Sequence, residues 1–326
     1  MIAYVIRRLL LFVPMAAGMV VVTFGLLLLI PGDPAAVLLG QDASPEGIAT
    51  LRRTLGLDDP WYLRLGGYFW ALLHGDMGRS IFQSAPVGEL IRGRLGATVE
   101  LAVAALLLAT VVGLALGVVA AMRQGGIVDT GSMLLAQLGV SMPVYWLALL
   151  LMLWFSVTLG WLPAIGRGVP LGQALGSALG GDLRPLGDSL SHLALPALAL
   201  AANSAAVISR LVRTSMLEVL REDFVRTARA KGLRRRVVVW KHALRNALLP
   251  VISVIGLRFG ALLGGAVLTE TIFAWPGLGQ LTISAISQRD LPLIQGIVLT
   301  FALIYATVTL AVDLAYAAVD PRIRLG

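Results

Sequence analysis

Six long apolar stretches constrain what this chain can fold into more than any other feature of its sequence. Each approaches the roughly 20 residues that a helix needs to cross a bilayer core of about 30 Å. In lipid, a helix satisfies its backbone polar groups within its own segment. The stretches are Leu9 to Ile30, Leu101 to Met122, part of Met133 to Leu162, Leu193 to Leu211, Pro250 to Phe273 and Leu293 to Ala318. We therefore predict an all-α polytopic membrane protein with six transmembrane helices.

Composition excludes several other classes of protein. Apolar residue types make up 58% of the chain and charged types 13%, against about 25% charged residues in soluble domains. The net charge of +8 would suit nucleic acid, but a nucleic-acid binder would not be so poor in charge elsewhere. The chain has no cysteine, and its three histidines show no metal-binding spacing. We expect no nucleic-acid partner, metal site or catalytic residue.

The distribution of charge predicts the orientation in the membrane. Arg210 to Asn246 contains eleven basic and three acidic residues, so its net charge equals that of the whole chain. Pro31 to Ala97 contains six basic and seven acidic residues. The positive-inside rule places the first segment in the cytoplasm and the second outside, and six spans then leave both termini cytoplasmic. From composition alone, the basic run is equally an orientation signal that binds anionic lipid.

Both large loops have features of structured segments. The external loop contains amphipathic pieces at Ile48 to Leu57 and Leu63 to Leu73, whose aromatic residues suit the membrane surface or, alternatively, contact with a delivered ligand. In the cytoplasmic loop, Met216 to Ala230 favours helix, Gly232 supplies a stop, and Val237 to Leu249 favours a second helix. The predicted organisation is an N-terminal helix (1–30), an external loop (31–97), a core (98–318) that includes a cytoplasmic coupling loop (210–249), and a cytoplasmic tail (319–326).

Charged residues within the spans are costly and mark functional candidates. Arg258 and Asp313 lie at similar depths from the cytoplasmic ends of their spans, which predicts a charge pair. Lining of the transport path and snorkelling remain alternatives for these two residues. Glu100 and Glu270 lie near outer ends and are expected at the interface.

Small residues predict how the helices pack. Gly113 and Gly117 have GxxxG spacing, as do Gly260 and Gly264, which is typical of close helix packing in membranes. Pro143 interrupts the third span and predicts a kink there.

The residue order of the cytoplasmic loop resembles that of one transporter family. Asp223 to Gly232 reads DFVRTARAKG, and His242 to Pro250 reads HALRNALLP. Together they resemble the "EAA" loop of type I ABC importer permeases, in the branch that transports peptides. Further matches run along the chain at Arg7-Arg8 with Pro31 to Ala35, Leu55 to Asp58 with Gly75 to Gly78, Glu270 to Gly279, and Asp320 to Arg324. The resemblance points to the first of two permease subunits of a dipeptide or oligopeptide importer.

This resemblance implies partners and a mechanism. The chain has no GxxxxGK[ST] loop for ATP. In the family, two cytoplasmic ATPase subunits hold ATP and magnesium, a second homologous permease completes the path, and an external solute-binding protein delivers the ligand. The chain would then need no cofactor and would lie in the bacterial inner membrane. The residues implied in docking an ATPase subunit, which moves the spans as it closes, are Asp223, Phe224, Arg226, Thr227, Ala228, Lys231 and Gly232.

The loop departs from the general importer pattern at two positions. Arg226 stands where that pattern has glutamate, and Arg245 stands where it has the proline of a Leu-Pro pair, which here comes later at Pro250. Both departures are usual in the peptide branch. The particular contact made by the glutamate is therefore not carried over to this chain.

Several functions remain as alternatives. Relatives with closely similar permeases carry glutathione, nickel chelates or sugars, and nothing in the spans selects among these cargoes. An ion-coupled secondary transporter would also suit six spans, but it predicts inverted repeats that the sequence does not show. An intramembrane enzyme lacks support, because the spans contain no GxSxG elbow and no cluster of metal-ligating residues.

Overall fold

The computed structural model describes residues 2–29, 34–39, 44–54 and 56–319. Within these ranges it is helical, with one isolated bridge between Arg79 and Pro86. The helices are α1 (Ile2–Leu29), α2 (Pro34–Leu39), α3 (Pro45–Thr54), α4 (Trp61–Leu73), α5 (Val87–Met122), α6 (Ile127–Ser141), α7 (Val144–Leu151), α8 (Leu171–Leu179), α9 (Arg184–Val219), α10 (Asp223–Ala230), α11 (Arg235–Val237), α12 (Leu244–Ile272), α13 (Leu278–Ser287) and α14 (Leu291–Val319). Two π-helical segments, Met152–Thr158 and Val238–Ala243, follow α7 and α11.

Some predicted features fall on residues that the structure does not describe. They are the first three residues of the family match at Pro31 to Ala35, the match from Asp320 to Arg324, and the side chain of Asp313. The predictions made for them therefore lie outside the described residues.

Four helical segments are long and apolar enough to cross a membrane. They are Val87–Met122, Arg184–Val219, Pro250–Ile272 and Leu291–Val312. Ile127–Ser141 and Val144–Thr158 form a fifth candidate, a broken span that is bent by 108°. An all-helical polytopic class is therefore confirmed, with up to five candidate spans among the described residues. The predicted first span falls on α1, where Leu10–Gly25 is apolar but shorter than the other candidates.

The break in the third span is sharper than the predicted kink. Met142 and Pro143 both adopt extended backbone, with ψ of 126° and 136°. Proline disfavours the helical conformation in the residue before it and removes a backbone donor. The helix therefore ends at Ser141, and α7 starts in a new direction.

One compact unit consists of residues 1–96, 277–307 and 325–326. Its apolar core combines the first turns of α5 with α13 and the start of α14; the buried members are Val87, Ile91, Leu278, Leu281, Ala285, Leu293 and Ile297. Asp290, fully buried, precedes α14 and accepts hydrogen bonds from the Ser80 hydroxyl and the Leu293 backbone N–H. It thereby caps α14 and holds the loop before α5.

The second unit consists of residues 97–276 and 308–324, and α9 is its central helix. This helix contacts α6, α7, α8 and α12. The predicted span around Leu193 to Leu211 lies within a longer helix, since α9 runs from Arg184 to Val219. Its small and polar residues face other helices rather than lipid, so hydropathy understates its length.

Two other helices also extend beyond the predicted spans. The helix that contains the second span begins at Val87, before the apolar stretch that starts at Leu101. The fifth predicted span agrees with the candidate span Pro250–Ile272, although Pro250 itself lies inside the longer helix α12. Between Arg235 and Ile272 the chain passes from α11 through the π-helical segment into α12 without a non-helical residue.

Candidate functional site

Helix α10 is a short amphipathic helix that stands apart from the candidate spans. Asp223 lies in its first turn and Arg229 in its last, which matches the helix dipole at both ends. Val225 and Ala228 are buried and pack against Val238 of the π-helical segment. One face of α10 is therefore anchored to its own chain.

The opposite face of α10 and the turn after it are exposed. The Phe224 side chain is 43% exposed, although it is large and apolar. Asp223 and Arg226 form an ion pair of 3.4 Å on the surface, which contributes little to stability. Six of the seven predicted docking residues share this exposed side: Asp223, Phe224, Arg226, Thr227, Lys231 and Gly232. Ala228 lies on the inner face instead.

The predicted continuous helix from Met216 to Ala230 was wrong, because α9 ends at Val219 and α10 begins at Asp223. Glu222, between them, has extended backbone with ψ of 150°. This break lets α10 take a direction independent of α9.

Gly232 ends α10 in the way the sequence predicts. Its φ is +76°, in the left-handed region that favours glycine. Its N–H donates to the Arg229 carbonyl, and the Leu233 N–H donates to the Ala228 carbonyl, which together form a Schellman motif. A Cβ at Gly232 would meet no atom within 4 Å, so backbone conformation rather than space selects glycine here.

Arg258 has a partner that the sequence did not predict. Its side chain is half-buried in α12 and donates to the Asn203 side-chain oxygen of α9 at 3.4 Å. Asn203 is a polar residue in a predicted span, which was a usable signal. The proposed pairing with Asp313 concerns a side chain outside the described residues and stays a prediction.

An ion pair between α6 and α9 was missed by sequence reasoning. Arg213 donates two hydrogen bonds to Asp129, at 2.6 and 2.7 Å, and the Gly125 N–H donates to the same carboxylate at 2.9 Å. The Asp129 side chain is only 6% exposed. It is also the single acidic residue between Glu100 and Asp182, which was the available signal.

We expect Asp129→Ala to lower the unfolding midpoint of the detergent-solubilised chain. The change removes the partner of a partly buried guanidinium and the acceptor of the Gly125 N–H, at a cost of about 1–3 kcal/mol for the donors left without an acceptor. Asp129→Asn keeps an acceptor oxygen, so it should lower the unfolding midpoint less than Asp129→Ala does. An unchanged midpoint in the alanine variant would show that the pair contributes nothing measurable.

A buried polar cluster lies where α5 and α12 meet the segment after α7. Glu270 is fully buried and accepts a 2.7 Å hydrogen bond from the Thr98 hydroxyl, so it faces the protein interior, and its expected position at the interface stays a prediction. Glu100 pairs with Arg167, whose guanidinium lies 5.7 Å from the Trp275 ring centroid. These contacts fix the N-terminal half of α5 and the C-terminal end of α12 to the segment between α7 and α8.

The first GxxxG pair confirms the predicted close packing. A Cβ added to Gly113 would lie 2.7 Å from Ile208 Cγ2, and one added to Gly117 would lie 2.6 Å from the Ser209 carbonyl oxygen. α5 and α9 therefore approach at a distance that only glycine allows. Gly264 differs, since a Cβ there meets no atom within 4 Å among the described residues.

The fold matches a known class of membrane protein. Two inward-facing crystal forms of the MetNI methionine ABC transporter align with 71% of this chain and 96% of theirs, at TM-scores of 0.55 and 0.56. Sequence identity in both alignments is 18%, so the likeness shows the fold of an ABC importer permease.

Sequence comparisons are more specific. The family model described as "binding-protein-dependent transport system inner membrane component" matches residues 113–325, and the model for the N-terminal part of such components matches residues 1–102. Relatives include the dipeptide transport system permease protein DppB of Alkalihalophilus pseudofirmus, 46% identical over 99% of this chain and 100% of the relative. DppB of Escherichia coli K12 and the di/tripeptide permease DppB of Pseudomonas aeruginosa are each 44% identical over 99% of both chains. The chain therefore belongs to this family and is a membrane permease subunit of an ABC importer.

Proposed function

We propose that this permease forms, with a second homologous permease, the path for a dipeptide or short oligopeptide that an external solute-binding protein delivers. Peptide cargo is supported by relatives named for dipeptide or di/tripeptide transport, which align with this chain over almost its whole length. In this proposal the chain crosses the inner membrane six times, α1 included. Both termini are cytoplasmic, and residues 31–97 are external. Glutathione, a nickel chelate or a sugar are the alternative cargoes.

The proposal assigns ATP and magnesium to two cytoplasmic ATPase subunits, one of which docks on α10. One observation carries this assignment: α10 buries Val225 within its own chain while it leaves Phe224 exposed on the other side. An exposed aromatic side chain on an anchored helix is suited to a pocket on a partner. Asp223, Arg226, Thr227, Lys231 and Gly232 would surround that contact, and Ala228 would support it from the inner face.

The packing of α10 would also transmit a movement of the ATPase subunit to α12. Val225 and Ala228 rest against Val238, which belongs to the helical run that continues into α12. A displacement of α10 by a closing ATPase subunit therefore acts on the start of a candidate span. This is a rigid-body coupling, in which a packed helix transmits a movement instead of deforming.

Co-purification tests the proposed function. The tagged chain, expressed with its neighbouring genes, should retain a second permease and two ATPase subunits, and ATP hydrolysis should rise when a dipeptide-loaded binding protein is added. If a sugar, a nickel chelate or glutathione stabilises that binding protein and dipeptides do not, the stabilising compound replaces the peptide as the proposed cargo. Transport by the lone chain in response to an ion gradient would contradict the proposal in favour of a secondary transporter.

Arg258 and Asp313 are proposed to form an intramembrane pair, because each charge would lower the cost of burying the other. We expect Arg258→Asp and Asp313→Arg each to reduce peptide uptake strongly, and the double swap to recover a substantial part of it. Uptake in proteoliposomes, normalised to the amount of assembled complex, measures this. If both single variants transport normally and the double variant does not, the residues are not paired.

A further inference from the structure

A cavity of about 430 Å³ lies beside α10, within the second compact unit. It is bounded by the last turn of α5, the end of α9, and the start of the helical run that leads into α12. Four arginines line it: Arg123, Arg221, Arg229 and Arg235. None of the described residues that line it is acidic, although three acidic residues occur in the same loop.

The four positive charges have no compensating partner in the part of the chain that the structure describes. None of these guanidinium groups forms an ion pair there, whereas Arg213 and Arg226 of the same loop both do. The Arg235 guanidinium donates to the Met122 carbonyl at 3.2 Å, at the negative end of α5. A helix terminus is equivalent to about half a negative charge, which offsets only a small part of the total. Four like charges around one cavity therefore favour an anion between them.

The chemistry of the lining indicates which anion fits. Guanidinium groups bind phosphate with directed, often paired, hydrogen bonds. The remaining wall is largely apolar and includes Met122, Leu217 and Val239. α5 is uncharged from Leu101 to Met122 and then reaches Arg123, so the cavity lies where an apolar span gives way to basic sequence. A basic pocket at this level of a transmembrane helix is suited to the headgroup of an anionic phospholipid.

We propose that these four arginines form a binding site for a phosphate group, carried by an anionic phospholipid of the cytoplasmic leaflet. The leaflet assignment rests on the orientation given under the proposed function, but the site itself does not. A lipid bound here would contact α5, α9 and α10 together. It would therefore hold the docking helix at a defined distance from the membrane surface.

Lipid retention by the purified complex tests the site. Phosphatidylglycerol is titrated into the delipidated complex in a non-ionic detergent, and bound lipid is counted by native mass spectrometry. Since each basic residue near a membrane surface contributes a factor of roughly five, Arg123→Gln with Arg229→Gln should weaken the tightest lipid site by about thirty-fold. Arg234→Gln with Arg236→Gln is the matched control, because these two charges of the same loop are exposed, as the four cavity arginines are, but do not line the cavity.

A second arm separates lipid from free phosphate. Inorganic phosphate is titrated against the lipid-free complex at constant ionic strength, with chloride as reference, and the unfolding midpoint is read. One outcome is that phosphate stabilises the wild-type complex but not the cavity variant, while no tight lipid site is found. The cavity would then bind free phosphate from the cytosol instead of a lipid headgroup. Equal loss of lipid in the cavity and control variants would overturn the site, since charge alone would then explain binding. Loss of ATPase subunits from the cavity variant with lipid retention unchanged would also overturn it, in favour of carboxylates on a protein partner.

Discussion

We expect Phe224→Asp to leave the permease assembled in the membrane while it removes ligand-stimulated ATP hydrolysis by the complex. The side chain is 43% exposed on α10, so its loss opens no cavity in the chain. Aspartate would place a charge beside Asp223 and in a contact that we propose to be apolar. Aromatic anchors of this kind contribute about 2 kcal/mol or more to docking, which corresponds to roughly a thirty-fold loss of affinity. Stimulated ATPase activity in proteoliposomes measures the effect.

Val237→Asp is the matched control for that experiment. Val237 lies in the same loop and is 38% exposed, close to the exposure of Phe224, but it belongs to α11. The Val237→Asp variant should retain most of the ligand-stimulated ATPase activity. If both variants lose coupling equally, any charge added to the loop is sufficient and the docking role of Phe224 is unsupported.

Gly232 supplies an independent test of the same helix. Its backbone has a φ of +76°, which glycine adopts readily. Alanine adopts this conformation at a cost of about 1–2 kcal/mol, and the ring of proline forbids it. Coupling should therefore decline from glycine to alanine to proline, while insertion into the membrane remains unchanged. Full coupled activity in both Gly232→Pro and Phe224→Asp would refute the assignment of α10 as the docking helix.

The second large effect is expected at the contact between α5 and α9. Gly117→Leu should prevent accumulation of the folded chain, because even its Cβ would lie 2.6 Å from the Ser209 carbonyl oxygen. Backbone cannot rotate away as a side chain can, so the two helices must separate. Overpacking of this kind costs about 3 kcal/mol or more. Gly117→Ala should already lower the unfolding midpoint, which is read from the detergent-solubilised chain.

Gly93 offers a control on the same helix. A Cβ there meets no atom within 4 Å, so Gly93→Ala should be neutral or stabilise α5 by up to about 1 kcal/mol through helix propensity. A Gly117→Ala variant as stable as Gly93→Ala would show that α5 and α9 do not pack as closely as the structure indicates.

Hydropathy predicted some spans well and others poorly, for a physical reason. The stretches at α5, α12 and α14 are strongly apolar, since much of their surface is free to face lipid. α9 is different, because 67% of its most apolar window is buried within the protein. A helix surrounded by other helices tolerates serine and asparagine, and these residues shortened the predicted span.

The coupling loop was predictable in outline and less so in detail. Residue types near Gly232 predicted a helix stop, because the left-handed conformation has a strong residue preference. The break at Glu222 and the continuity of the helix through Pro250 were not predictable in this way. Both depend on where α10 and α12 pack, and local propensity carries no information about that.

The sequence by itself determined the class of protein, the basic loop and its predicted orientation, the turn at Gly232 and the resemblance to importer permeases. These rest on apolar length, net charge and residue order, which are local properties of the chain. Only the tertiary structure decided that Arg213 pairs with Asp129, that Arg258 contacts Asn203, and that four arginines share one cavity. Such contacts join residues far apart in sequence, and their partners are selected by helix packing rather than by spacing along the chain.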